Sequence, residues 1–149
     1  MSNTNFTLTN TSLTRAASNV FTLSSIEKAE LIGGASNNVL NASSFSGEVK
    51  LDGGAGNDTL TSGSGTALLL GGTGNDILRV GTGRALLIGG LGVDNLTGGS
   101  NDDLLIDGQT SHDANAIALA LLLAEWASAN SHADRVAHLT GTAGGLNGS

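Results

Sequence analysis

One phrase of nine residues recurs three times at a constant interval of eighteen. The copies are GGAGNDTLT from Gly53 to Thr61, GGTGNDILR from Gly71 to Arg79 and GGLGVDNLT from Gly89 to Thr97. Each reads GGxGxDxUx, with U a leucine: glycines open a tight turn, an Asp closes it, and a short strand follows. Repetition at this spacing predicts a stack in which each unit contacts only its neighbours along one axis.

The nine residues between copies repeat the phrase without its acidic residue. Ser62 to Leu70 and Val80 to Ile88 keep the glycine turn and the central leucine, but Ala67 and Ala85 replace the Asp. One coil is therefore two half-coils, with turns on opposite edges and short strands in opposite parallel sheets, and successive coils lie about 4.8 Å apart. Asp58, Asp76 and Asp94 then stack on one edge. Upstream, Gly33 to Asn41 is a worn copy with Ser36 for Gly and Asn38 for Asp. It lies twenty residues before Gly53, so the half-coil from Ala42 to Asp52 carries two extra residues. Downstream, Gly98 to Ile106 restores an acid, Asp103, on the opposite edge. The predicted fold is all-β, a right-handed parallel β-roll or β-solenoid of 18-residue coils with a C-terminal helical cap.

Stacked carboxylates need an explanation, because two of them about 4.8 Å apart repel by roughly 3 to 4 kcal/mol at an effective dielectric of 20. A hard cation removes the repulsion. Calcium takes oxygen ligands from carboxylates and carbonyls, and glycine turns let main-chain oxygens face inward between coils. The expected ligand set is Asp58, Asp76 and Asp94 with turn residues Gly54, Gly56, Gly72, Gly74, Gly90 and Gly92. Asn38, Asp103, Asp107 and Asp113 are weaker candidates, and about two to four ions are expected. The competing reading, plain Asx turns, does not require an Asp in the same slot every eighteen residues.

Residues 53 to 106 resemble the RTX, or haemolysin-type, calcium-binding nonapeptide repeats. The resemblance implies a parallel β-roll around calcium ions, and an extracellular or cell-surface protein that leaves by a type I secretion route. The function expected is a structural, non-enzymatic calcium-binding module that folds outside the cell.

Composition excludes several other classes. The chain has 149 residues and no cysteine, which rules out a disulfide scaffold and a thiolate metal site. Its net charge is −7, and the repeat region carries only Arg79 and Arg84 as cations, so nucleic acid is not an expected partner. No apolar run is long enough for a transmembrane helix. Met1 to Asn10 is polar and uncharged, without a signal-peptide pattern. Weak repeat sites suit extracellular calcium, at about 10⁻⁴ to 10⁻³ M, better than the cytosol.

The flanks divide the chain further. Residues 1–52 read as irregular solenoid coils, with alternating strands at Phe6 to Thr9 and Phe21 to Leu23; 53–112 is the roll; 113–140 is helical; 141–149 is a Gly-rich tail or linker that suggests a piece of a longer protein. Helix formers run from Ala114 to Trp126 behind Asp113, a candidate N-cap. A second helix is expected from Ser131, with Asp134 completing a capping box.

In each strand the middle leucine points into the roll. One sheet then displays Leu68, Leu70, Leu86, Ile88, Leu104 and Ile106 outward, a patch that should not face water. The helix of 114–126 should cover it; the alternative is self-association through that face or that helix. Ser111-His112-Asp113 is a weak catalytic signal, since triads are assembled in space. The remaining alternatives are an ice-binding or adhesive repeat, of which only Gly72 to Asp76 fits the pattern, and a self-assembling filament or surface-layer element.

Overall fold

In a computed structural model, residues 4–16 and 19–140 are described. The expected Gly-rich tail, 141–149, lies outside the described residues. Among the described residues, twelve strands and two helices make up the fold, whose parallel sheets form a β-solenoid of about four turns with the helices at its C-terminal end.

The coils alternate between two sheets. Strands β4 (Lys28–Gly34), β6 (Glu48–Ala55), β8 (Ala67–Thr73), β10 (Ala85–Leu91) and β12 (Leu104–Ile106) form one, here sheet B. Strands β5 (Val39–Ser44), β7 (Thr59–Thr61), β9 (Ile77–Arg79) and β11 (Asn95–Thr97) belong to the other, sheet A. All of these pair in parallel, and the register carries the sequence period directly: Leu60 pairs with Leu78, and Leu86 with both Leu68 and Leu104. Leu40, Leu51, Leu60, Leu69, Leu78 and Leu87 are fully buried between the sheets.

The two extra residues fall between Asn41 and Phe45, where the register changes: Asn41 pairs with Thr61, whereas Val49 pairs with Ala67. The added length lets Phe45 turn inward, where it is 1% exposed and joins the leucine core.

Residues before Lys28 depart from a coil. Strand β1 (Phe6–Thr9) stacks in parallel on β5, but β2 (Ser12–Arg15) and β3 (Asn19–Thr22) follow as an antiparallel meander that extends sheet A. The physical reason is the connection. Only Asn10 and Thr11 separate β1 from β2, too few for a crossover to the other sheet. The Thr9 hydroxyl accepts the N–H groups of Thr11 and Ser12 and fixes the tight turn.

The outward leucines of sheet B are covered. Helix α1 (Ala116–Trp126) lays Leu119 and Leu123 on Leu68, Leu70, Leu86 and Ile88, with Leu104, Ile106 and Leu122 packed at the margin. The N-cap is Asn115, whose side chain accepts the Ala118 N–H, and not the expected Asp113; that carboxylate is held by the Thr110 N–H and hydroxyl in the preceding turn. Helix α2 (His132–Thr140) starts as expected: Ser131 Oγ accepts the Asp134 N–H and donates to its carboxylate.

Polar contacts lock the cap to the roll. Trp126 Nε1 donates to the Asp102 carbonyl at 3.1 Å, and the Arg84 guanidinium donates to the Ser128 and Ala127 carbonyls just past the end of α1. Arg135, 1% exposed, pairs with Asp102 at 2.5 Å and lies over the Trp126 ring.

Because Trp126 is the only tryptophan, its fluorescence reports docking. Leu86 is fully buried beneath the cap. Leu86→Glu should shift Trp126 emission to the red and cost about 3 kcal/mol or more of stability in a melt; unchanged emission would mean the cap does not depend on this face.

Candidate calcium site

The carboxylate edge is built from two hydrogen-bonded columns that run in opposite directions. At each turn the Asp reaches back to the preceding coil: Asp58 Oδ1 accepts the Asn38 N–H at 2.6 Å, Asp76 Oδ1 that of Asp58 at 2.7 Å, and Asp94 Oδ1 that of Asp76 at 2.9 Å. The neighbouring Asn reaches forward. Asn37, Asn57 and Asn75 each accept the N–H of the next coil, from Asn57, Asn75 and Val93, at 2.9 Å. Sequence reasoning missed this asparagine ladder; its signal was an Asn one place before the acidic slot at 37, 57 and 75, ending at Val93.

Glycine is required where coils touch. Gly72 has φ of +105°, and a Cβ there would meet the Gly54 carbonyl below; Gly54 and Gly90 repeat the conformation. Gly56, Gly74 and Gly92 also have positive φ. The opening glycines are constrained differently. A Cβ on Gly53 would run into Asp58 Oδ2 and the Gly71 carbonyl oxygen, and one on Gly71 into Asp76 Oδ2 and the Gly89 carbonyl oxygen.

Each of those two positions is a small cradle bounded by a carboxylate oxygen of one coil and a main-chain oxygen of the next. Oδ2 of Asp58, Asp76 and Asp94 is buried and has no hydrogen-bond partner. A buried carboxylate oxygen facing a carbonyl, with no donor between them, is costly, and it fits a cation that both oxygens would ligate. Among the described residues no three His, Cys, Asp or Glu side chains converge on one point. Further ligands would therefore be carbonyls or water, donors of the kind calcium accepts. Residues present thus fit the ion.

The levels are not equal. Gly33 stands below the column with Asn38, a neutral residue, in the acidic slot. Above, the three atoms nearest a Cβ on Gly89 all belong to Asp94, with no main-chain oxygen among them. Asp58 and Asp76 are each 1% exposed, whereas Asp94 is half-buried.

Electrostatics follow from burial. Desolvation pushes the Asp58 carboxyl up to about 6, against the opposing Asn38 N–H and with help from the Asp76 and Asp52 charges. Asp76 is raised for the same principal reason, against the Asp58 N–H and with help from Asp94.

The other edge has been put to different use. Ala67 has no facing carboxylate, and its N–H goes to the Arg84 carbonyl. Asp103 accepts the Ala85 N–H through Oδ1 and the Gly99 N–H through Oδ2, so both oxygens have donors. Asp107 is exposed past β12, and Asp113 is bound to Thr110. The Asp113 carboxylate is thus taken up by Thr110, whose hydroxyl also accepts the His112 N–H. His132 and His138 face Asp102 and Glu125, and Glu125 is held below the usual carboxylate range chiefly by His138.

Asp76→Ala should remove calcium from the levels on both its sides, read as lost stoichiometry by calorimetry. Asp103→Ala should leave stoichiometry intact and cost about 1 to 3 kcal/mol through its two stranded N–H groups. Equal loss of calcium from both variants would contradict a one-edged site. The raised carboxyls give a second test. Without metal, the Asp58 contribution is complete below about pH 4 and is lost as pH rises through about 6, and the raised Asp76 carboxyl acts in the same direction. The melting temperature of chelated protein should fall from pH 4.5 to 7.5 while calcium affinity climbs over the same interval, since ligation needs the ionised form.

Residues 46–69 and 70–105 match the family model of the RTX calcium-binding nonapeptide repeat, with four copies. No curated protein and no solved structure matches the chain. The matched spans contain both cradles and the Asp58, Asp76 and Asp94 column, so the repeats over residues 46–105 are RTX calcium-binding nonapeptide repeats by that match.

Proposed function

We propose that this chain is a structural calcium-binding module of a secreted or cell-surface protein, and that its roll forms on binding calcium outside the cell. The observation that carries the reading is the column of buried Asp carboxylates, each keeping one oxygen without a donor. Two cradles are complete, at Asp58 with Gly71 and at Asp76 with Gly89, and the Asn38 and Asp94 levels are partial, so two ions are expected at full occupancy and up to four with weak outer sites.

Calcium, when bound, supplies the positive charge that the column lacks. The residues do the rest. Oδ1 of each Asp holds the neighbouring coil by its N–H, Oδ2 faces the cradle, and the opening glycines keep side-chain atoms out of it. Calcium-free, these groups oppose stacking once ionised, so binding free energy becomes folding free energy. Such weak sites fill at extracellular calcium, roughly 10⁻⁴ to 10⁻³ M, which supports the external location. No helix among the described residues is long and apolar enough to cross a membrane.

The role is non-enzymatic on this reading. The ice-binding alternative has less support: outward positions 55, 73 and 91 carry Ala, Thr and Leu, and the Asn side chains are engaged in their own ladder.

Circular dichroism with a chelator should show loss of most repeat β-structure, and millimolar calcium should restore it, with Trp126 emission moving blue as the cap docks. A spectrum and melting point indifferent to calcium would defeat the proposal.

A further inference from the structure

The dipeptide Asp-Gly occurs twice, as Asp52-Gly53 and Asp107-Gly108. It is the acidic junction most open to attack on itself, because glycine sets no side chain beside the main-chain nitrogen that follows the carboxyl. That nitrogen can close a five-membered ring on the Asp side chain. Ring closure swings ψ of the Asp far from the extended range, so a residue locked in a paired strand resists it.

The fold holds the two junctions differently. Asp52 lies in β6, where it pairs with Ile32 of β4 on one side and Leu70 of β8 on the other. Gly53 is wedged between coils: a Cβ there would meet Asp58 Oδ2 and the Gly71 carbonyl oxygen, and its own carbonyl oxygen lies against Gly33. Turning Asp52 out of the strand therefore breaks pairing in the middle of sheet B. Asp107 is exposed and follows the end of β12. Among the described residues no hydrogen bond or ion pair holds the Asp107 carboxylate or the Gly108 N–H. Gly108 sits at φ +110°, and apart from its chain neighbours no atom lies within 4 Å of the place its Cβ would take.

We propose that Asp107 is a site of spontaneous isoaspartate formation, and that the fold protects Asp52 in the same dipeptide. The Gly108 nitrogen attacks Cγ of the Asp107 carboxylic acid, a C–N bond forms, and the acid hydroxyl leaves with the amide proton as water. Water then adds to either carbonyl of the succinimide and opens it. Opening at Cγ restores aspartate; opening at the main-chain carbonyl leaves the chain running through Cβ, with a free α-carboxylate and unchanged mass. Water is the only co-reactant. The main chain gains a methylene just before Gly108, whose carbonyl accepts the Gly90 N–H at 3.3 Å, so the change lands where the last coil hands over to the cap.

The full chain in millimolar calcium, shown folded by circular dichroism, is held in warm neutral buffer and mapped by fragmentation mass spectrometry, which tells isoaspartate from aspartate. Asn147-Gly148 in the tail gains mass when it reacts and is read separately. Isoaspartate should build up at Asp107 faster than at Asp52 by roughly tenfold or more, since a junction in a strand reacts only while that strand is open. In urea the two rates should converge. Equal rates in the folded chain, no isoaspartate at Asp107, or a ratio that urea leaves unchanged overturns the proposal.

Discussion

Three successive steps between coils of this roll are each tied by an Asp side chain that accepts a backbone N–H with one oxygen and leaves the other buried. The first half of that arrangement is stabilising and the second is not. Asp76 Oδ1 gives the Asp58 N–H a charged acceptor in a dry turn, a strong hydrogen bond. Oδ2 of the same group faces a carbonyl and has no donor. A protein that stacked these turns without a counter-ion would protonate the carboxyls or unstack; burial, aided by the Asp76 and Asp52 charges and opposed by the Asn38 N–H, raises Asp58 to about 6. A divalent cation would satisfy this geometry, and on the proposed function architecture and ion dependence become one property. The asparagine ladder needs no metal, and its forward-running bonds hold the same turns in register.

The two edges of the solenoid divide the work. Loss of the acid at Ala67 and Ala85 frees the second edge from cation binding, and there the turns serve the helical cap: Arg84 bonds to carbonyls past the end of α1, and Asp102 receives both Trp126 and Arg135. The acidic edge joins strands of sheet B to the following strands of sheet A, and sheet B presents the leucines on which the cap rests. Folding of the repeats and docking of the helices are therefore coupled through one apolar surface.

Much of this was legible in the chain because a solenoid converts sequence period into spatial register without long-range information. Residues eighteen apart became neighbours, as Leu68 and Leu86 did, and the outward leucines beside them demanded a cover that the next apolar segment supplied. The site was legible to the same depth, as a column of Asp with glycines around it. Less visible were choices among equivalent local chemistries. Asp113 and Asn115 are both good caps, and the tie was settled by Thr110, whose N–H and hydroxyl captured Asp113 first.

By itself, then, the sequence determined the repeat, the fold class, the acidic edge and the need for a cap, since each follows from spacing and side-chain type. The tertiary structure alone decided which carboxylate oxygen holds the backbone and which faces the cradle. It also decided that residues before Lys28 fold as an antiparallel meander and that Asp103 closes a turn. Those outcomes depend on which groups arrive within hydrogen-bonding reach once the coils are stacked, a property of distances in space that no periodicity along the chain encodes.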